Sequence, residues 1–466
     1  MANSSTSMAN ASGDTLQRKL STFDKPAEIS KGYEIDHRSF NRQYAEMYYP
    51  RLVQLRPILV EKAKERWGYL PEKPVYVPKA LEVLAGELCY IIGTIYMEMS
   101  TKPNVLRDLN EESSLIDPSV PEKYRSENDV IALEDESGRV ELTGQHLKKE
   151  HLVSGAVIAV LGKETPSGAF EIFDACLPGL SPQRPLKAQT KPGHKYVAIL
   201  SGLSIDSEAA LGLNTQLLSE FLSGELGSVE NQQSSACITR LIIAGNSVGK
   251  AKAVESGEKG QKYGYEATRY NSSAIDILDD FLDDVSSSLE IDLMPGPNDP
   301  TAVHLPQKPI HPFMFSKAKM HSTFNTVTNP YCCDIDGVNF LGTSGQNVDD
   351  IYRYSNDENR LKMAELTLFW QHIAPTAPDT LWCYPLAGED SFLVKECPHV
   401  YFIGNQPEFE TSDIQGHDGQ KVRVILVPSF QKTGQIVLVN LDTLEASTLK
   451  ISGEITHDKD GMDLSH

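Results

Sequence analysis

The sequence predicts an α/β plus β chain, with a small β barrel followed by a larger domain in which a two-layer β sandwich is flanked by helices. Three observations carry this. Runs rich in β-branched residues, joined by Gly-containing turns, fill the stretch from Leu81 to Leu177. From Tyr196 to Pro300 strand and helix patterns alternate, which is the rhythm of parallel strands linked by crossover helices. Beyond Pro300 that alternation gives way to a second series of strands. The expected boundaries are a structureless leader at 1–36, a helix plus barrel at 37–190, the sandwich domain at 191–452 and a loose polar tail at 453–466.

A chain of 466 residues is long enough for more than one core. Its 43 Lys and Arg against 64 Asp and Glu give a net charge of -21, which opposes broad electrostatic binding to nucleic acid. No apolar run approaches the roughly 20 residues needed to cross a bilayer, so no membrane partner is expected. The 7 cysteines include no C-x-x-C pair, which fits reduced thiols inside a cell better than a secreted disulfide framework.

Taken in order, the leader is rich in Ser, Ala, Asn and Lys and has little apolar periodicity. Across Phe40 to Trp67, Tyr44, Met47, Tyr48, Leu52, Leu55, Leu59, Val60 and Ala63 recur at helical spacing, with breaks expected at Pro50 and Pro57. Arg51, Arg56, Lys62, Lys64 and Arg66 make this the most basic part of the chain, and they read as a solvated helix face. ELCYIIGTIYMEM, DVIALEDESGRVELTG and LVSGAVIAVLGKETPSGAFEIFDACL supply about five strands, the content of an oligonucleotide/oligosaccharide-binding (OB) barrel. A barrel that grips single strands needs stacking aromatics and a cationic groove. Glu134, Asp135, Glu136 and Glu141 flank its hairpin instead, so protein contact is expected, with single-strand DNA binding as the alternative.

A Pro- and Lys-rich linker, Pro178 to Lys195, leads into three strand-and-turn units, Tyr196 to Asp206, Leu241 to Gly249 and Ile291 to Pro300. Helices are expected at Leu211 to Leu222 and Ser273 to Leu289. In the second, Ile275, Leu278, Phe281, Leu282 and Val285 face inward, while Asp276, Asp279, Asp280, Asp283 and Asp284 read as a hydrated outer face rather than a metal site. TFNTVTNP, DIDGVNFLGTSG, HVYFIGN, KVRVILVPSF and GQIVLVNLDT then read as hairpins, interrupted by one helix at about Asp357 to Gln371.

The strand tips stand where open α/β sheets carry their ligands. Yet AGNSVGK is one residue short of a phosphate-binding loop, and Ala251 follows Lys250 where Ser or Thr is required. LGTSGQ has Gln346 where a nucleophile elbow needs Gly. Asp334 and Asp336 lack the continuation of a calcium loop.

The order of strands and tips resembles the calcineurin-like metallophosphoesterases, whose two metals are held by D-x-H, G-D-x-x-D, G-N-H-D and G-H-x-H. Carried over by position, Gly202 and Ser204 stand for the first Asp and His, and Asn246 and Gly249 for the two Asp of the second motif. Pro297 and Asn298 replace Asn and His before Asp299, and Asn405 and Pro407 take the places of the last two histidines. A two-metal centre needs charged carboxylates and imidazoles from several loops. Only Asp299 keeps one, so the resemblance implies no catalytic residue, no metal and no cofactor. An active phosphoesterase with a rearranged site at Asp299, His372 and His399 is the further alternative.

A barrel followed by such a degenerate domain resembles the B-subunits of replicative DNA polymerases. FNRQYAEMYYPRL, LEDESGRVELTG, LMPGPNDPT, LPQKPIHPFMF, VTNPYCCDIDGVNFLGTSGQNVDDIYRYS, APTAPDTLWCYPL and ECPHVYFIGN carry the resemblance, which spans about Ser39 to Asn440. It implies a non-catalytic nuclear scaffold for DNA replication and repair synthesis. Such a scaffold bridges the cysteine-rich C-terminal domain of a catalytic polymerase chain and a third, elongated subunit, and meets DNA only indirectly.

Overall fold

The computed structural model describes residues 7–9, 15–35, 43–102, 122–126, 128–149, 151–186, 194–206, 212–250, 272–385, 388–452 and 454–457. Strands β1 (Ser7–Ala9) and β2 (Thr15–Gln17) pair antiparallel, followed by β3 (Phe23–Asp24) and helix α1 (Ala27–Tyr33). The expected structureless leader is therefore wrong for 15–35. Two of its apolar groups are anchored far away in sequence, Tyr33 in the core and Phe23 against the Arg240 guanidinium. The remainder of the leader lies outside the described residues.

Helix α2 (Ala45–Trp67) runs unbroken through Pro50 and Pro57. Each proline costs about 3 kcal/mol in a helix interior. Leu52, Leu55, Leu59, Ala63 and Trp67 bury against Tyr90, Ile92, Val157, Ala159 and Leu161 of the barrel. At about 1.5–3 kcal/mol for each large side chain, that burial outweighs the two interruptions.

The barrel comprises β4 (Val75–Tyr76), β5 (Cys89–Glu98), β6 (Val130–Glu134), β7 (Arg139–Thr143), β8 (Val157–Glu164) and β9 (Phe170–Cys176), in the order β4-β5-β6-β7-β9-β8, closed by β5 pairing β8. Closure depends on β5 serving two neighbours. Cys89 to Thr94 pair with β8, and Thr94 to Glu98 with β6. Gly93 sits at the changeover, where a Cβ would lie 2.4 Å from a Leu133 methyl.

In the sandwich, β10 (Tyr196–Leu200), β11 (Ile238–Ala244), β12 (Glu290–Met294) and β13 (Phe324–Thr326) are parallel, as the alternation predicts. Helices α3 (Leu213–Ser223), α4 (Val229–Cys237) and α5 (Ser272–Ser286) pack on the outer face of this sheet. The second sheet holds β14 (Tyr331–Ile335), β15 (Val338–Thr343), β16 (Val400–Gln406), β17 (Glu410–Gln415) and β18 (Lys421–Pro428), with β3 of the leader at its edge. Antiparallel strands β19 (Gln435–Asn440), β20 (Ala446–Ser452) and β21 (Glu454–His457) return to complete the first sheet beside β10. β21 corrects the expected loose tail at 454–457, where its backbone pairs with β20.

The series of hairpins is also corrected. β13 is an edge strand of the first sheet, and β16 runs parallel to both β15 and β18. The long crossover that a parallel pair requires carries two helices, α6 (Gln346–Tyr354) and α7 (Arg360–Phe369), where one was expected. Between the sheets, Val197, Ile199, Ile242 and Met294 meet Phe340, Val400, Phe402 and Ile425. On the far side, Ile351, Tyr354 and Trp370 share one core with Met97, Leu133 and Ile158 of the barrel, so the two domains are packed as one body.

Asp279 departs from the hydrated face assigned to α5. It is buried, accepting from the amides of Ser316, Lys317 and Ala318 and from the Ser316 hydroxyl. Burial works to raise its carboxyl, and those donors outweigh it and hold it below the usual carboxylate value.

Candidate functional site at the sheet tips

The C-terminal ends of β10, β11, β12 and β16 converge. Three of the four turn through left-handed backbone, β10 at Gly202 (φ 63°) and Ser204 (φ 48°), β11 at Gly245 (φ 83°) and Asn246 (φ 54°), and β16 at Asn405 (φ 57°). Non-glycine residues held this way are uncommon and cluster at functional sites, and Asn tolerates the conformation best. The geometry the sequence suggests is therefore present.

The side chains at these tips bind one another. Asp299, wholly buried, accepts from the Val248 amide at 2.9 Å on one oxygen and the Gly296 amide at 2.7 Å on the other. Burial pushes its carboxyl up to about 6, against the pull of backbone donors at Val248, Gly296, Asn246 and Ser247. Asn246 Oδ1 accepts from the Asn298 amide at 3.0 Å, tying the β11 tip to the β12 tip. Asn405 Nδ2 donates to the carbonyls of Ala244 and Ser344 at 3.1 and 2.8 Å, tying the β16 tip to β11 and to the turn before α6. Its own amide donates to Ser201 Oγ at 2.9 Å.

The loops also touch through their backbones. A Cβ on Gly202 would lie 2.6 Å from Ser429 Oγ, and one on Gly296 would lie 2.4 Å from the Asn246 amide nitrogen. Ser204 and Gly249 are half-buried, whereas Pro297 and Pro407 face outward.

Sequence reasoning missed a second layer of neutral groups behind the tips. Asn329 Nδ2 donates to Gln307 Oε1 and Ser344 Oγ, both at 2.7 Å. Gln346 Nε2 reaches Gln307 Oε1 at 2.8 Å, and Gln307 Nε2 reaches the Gly296 carbonyl at 3.2 Å. Amides can satisfy each other in a buried frame but cannot offset the charge of a divalent pair. The signal available was the density of Asn and Gln in NPYCC, LPQKP and TSGQN. Among the described residues, no group of three or more His, Cys, Asp and Glu is placed to hold a metal ion.

The structure does not bring Asp299, His372 and His399 together. His399 precedes β16, whereas the tip lies at the strand's other end, about 20 Å away at the usual rise per residue. Its Nδ1 accepts from the Asn339 amide at 2.9 Å, so Nε2 carries the proton and donates to the Arg184 carbonyl at 2.8 Å. His372 lies at the seam between the domains, where Nδ1 accepts from the Ala374 amide and Nε2–H donates to Asp390 at 2.9 Å.

The basic face of α2 is likewise engaged. Arg51 is buried at the same seam, Arg56 pairs with Glu136, and Arg66 pairs with Asp174 at 2.7 Å. Two of the acids expected to deter single strands are therefore paired: Glu136 with Arg56 of the helix, and Glu134 with Arg139 across β6 and β7.

Two family models match the chain in the same places as the two domains. The OB-fold domain of DNA polymerase delta subunits matches residues 43–175, from before α2 into the end of β9. The B-subunit family of DNA polymerases alpha and epsilon matches residues 197–411, from β10 into β17. The DNA polymerase delta small subunit of Arabidopsis thaliana is 40% identical over 446 residues, covering 94% of this chain and 97% of the relative. The chain belongs to the DNA polymerase delta small-subunit family. DNA polymerase delta subunit 2 of Drosophila melanogaster is 36% identical, with 92% of this chain and 97% of the relative covered. The corresponding small subunit of Saccharomyces cerevisiae is 35% identical over 89% of this chain and 90% of the relative. In this member of the delta small-subunit family, the tips form a closed set of neutral side chains around one buried carboxylate.

Proposed function

We propose that this chain is a non-catalytic accessory subunit of DNA polymerase delta, a scaffold that bridges the cysteine-rich C-terminal domain of the catalytic subunit and the third subunit in nuclear replication and repair synthesis. One observation carries the reading. Of the positions that correspond to phosphoesterase metal ligands, only Asp299 is a carboxylate, and both its oxygens are taken by backbone amides. A two-metal hydrolase needs charged ligands free to face the ions.

The sandwich flanked by helices supports descent from a phosphoesterase-like fold whose tips have become internal ties. DNA contact is indirect on this reading. The basic side chains Arg51, Arg56 and Arg66, which a cationic groove would use, are bound to Asp390, Glu136 and Asp174. The test is to isolate the tagged chain from its own cell extract. Stoichiometric recovery of a catalytic polymerase chain is expected, and recovery of none would sink the reading. Manganese-dependent phosphoester hydrolysis by the purified chain, lost in Asp299→Ala, would replace it with the enzyme reading.

A further inference from the structure

The leader crosses from one layer of the sandwich to the other at two fixed points. At the first, Arg18 Nη1 donates to the carbonyls of Ser235 and Ile238, each at 2.8 Å, and Nη2 donates to that of Leu222. Leu222 is in the last turn of α3 and Ser235 in that of α4, so one guanidinium ties the C-terminal ends of both helices, where the helix dipole favours a cation. The Lys19 amide adds a bond to the Ala236 carbonyl at 2.9 Å.

At the second point, the Thr22 amide and hydroxyl both donate to Asp336 Oδ1, at 2.6 and 3.0 Å, and the Asp336 amide returns a bond to the Thr22 carbonyl at 3.0 Å. Asp336 sits in the β14–β15 turn with left-handed backbone (φ 52°), and Lys195 Nζ lies 2.8 Å from its other oxygen. β3, two residues long, follows on the edge of β14, and α1 then carries Tyr33 into the core, so the stretch free to lift is the one between Arg18 and β3. A latch built from so few bonds opens locally without unfolding the sandwich.

Thr22 is exposed and follows Arg18 and Lys19 by four and three positions, so a basic-directed protein kinase meets two cations just before Ser21 and Thr22, and of these two hydroxyls it is that of Thr22 that holds Asp336. We propose that the Thr22 hydroxyl is a phosphoryl-acceptor site and that a phosphate there holds the leader strap open. A kinase would move the γ-phosphoryl group of ATP to Thr22 Oγ1. The new P–O bond forms as the bond to the β-phosphate oxygen breaks, ADP leaves, and the hydroxyl proton passes to the kinase's base. The product has no hydroxyl to donate to Asp336 and places a charge of about -2 against that carboxylate.

Asp24 and Asp334, paired across β3 and β14, add to the repulsion. The opposing cations are Lys195, already bound to Asp336, and Lys19, directed to the His194 carbonyl at 3.5 Å. Because the Arg18 guanidinium is taken by carbonyls in the closed strap, the kinase acts on the transiently lifted leader, and the modification traps that state.

The test uses the full chain, ATP and a basic-directed Ser/Thr kinase, with the modified position mapped by mass spectrometry and the strap followed by hydrogen exchange. Phosphate on Thr22, absent from Thr22→Val, should speed exchange of the Lys19, Thr22 and Asp336 amides by about tenfold or more, the scale of one lost charge-assisted bond. Thr22→Glu should move the same amides in the same direction, and Thr22→Val should move them less. No phosphate on Thr22, phosphate on Ser21 alone, or phosphorylated Thr22 with unchanged exchange would each overturn the assignment.

Discussion

Arg51 Nε, on the barrel helix, donates to Asp390 Oδ2 on the sandwich over 2.8 Å, with both side chains wholly buried. The rest of the guanidinium is spent on carbonyls from both domains, Gly155 at 2.9 Å, Pro375 at 3.0 Å and Ala377 at 2.9 Å. A buried ion pair is sustained only when its remaining donors and acceptors are satisfied, and here the planar fork of Arg does that across a domain seam. Arg51→Ala should therefore destabilise by about 3–5 kcal/mol, since it strands the Asp390 charge. Arg51→Lys should recover only part, having one nitrogen where three are used. Urea unfolding checks both, and Arg51→Met combined with Asp390→Leu should be more stable than Arg51→Ala.

The same seam sets a pH dependence. Burial, with the Arg51 charge second, holds the His372 imidazole down to about 4 from its ordinary 6.5, despite its bond to Asp390. Above pH 6.5 the ring is neutral in both folded and unfolded chains. As pH falls from 6.5 towards 4 the unfolded chain takes up a proton that the folded one refuses, so stability is lost over that window by up to about 3 kcal/mol. Between pH 7.5 and 5 the urea midpoint of the parent should fall relative to that of His372→Gln, which keeps an N–H for Asp390, while the Asp299 and Asp350 carboxyls, raised to about 6 by burial, act in the opposite sense equally in both proteins. Equal slopes in the two proteins would remove His372 as the cause.

How far the sequence reaches is clearest at particular residues. The barrel strands are legible because alternation and Gly turns are local signals. The tips are legible because parallel strands end at predictable places. Arg51 is misread as solvated when judged by its charged neighbours, although Met47, Arg51, Leu55, Leu59 and Ala63 form an i, i+4 series that places it on the buried stripe. Asp279 is misread in the same way, lying four residues after Ile275 and three before Leu282 on the inward face of α5. The leader's order is invisible to periodicity, because Arg18 is held by main-chain carbonyls more than 200 positions away.

Asp299 distinguishes a structural tie from a remnant metal ligand. Asp299→Asn keeps the volume but turns an NH2 group towards a backbone amide, leaving a buried donor unpaired at about 1–3 kcal/mol. If the carboxylate serves only its amides, the melting temperature of the parent chain should be the same with excess EDTA as with millimolar manganese. A manganese-dependent rise that disappears in Asp299→Asn would show instead that the tips still bind an ion, by preferential binding to the folded state.

Gly342 tests how closely the two strands behind the tips are fitted. It pairs with Phe402 across β15 and β16, and a Cβ on it would lie 1.9 Å from the Phe402 ring. Its backbone is not left-handed, so conformational strain is not the issue; the space is occupied by an aromatic ring lying over the glycine. Gly342→Ala should destabilise by about 1–3 kcal/mol through overpacking. Phe402→Leu alone should also destabilise, by opening space in the core between the sheets. The two together should lose less than the sum of the single variants, because the added methyl enters the volume the ring vacates. Additive losses in urea unfolding would mean that the alanine is accommodated by a shift of β15 rather than by the ring.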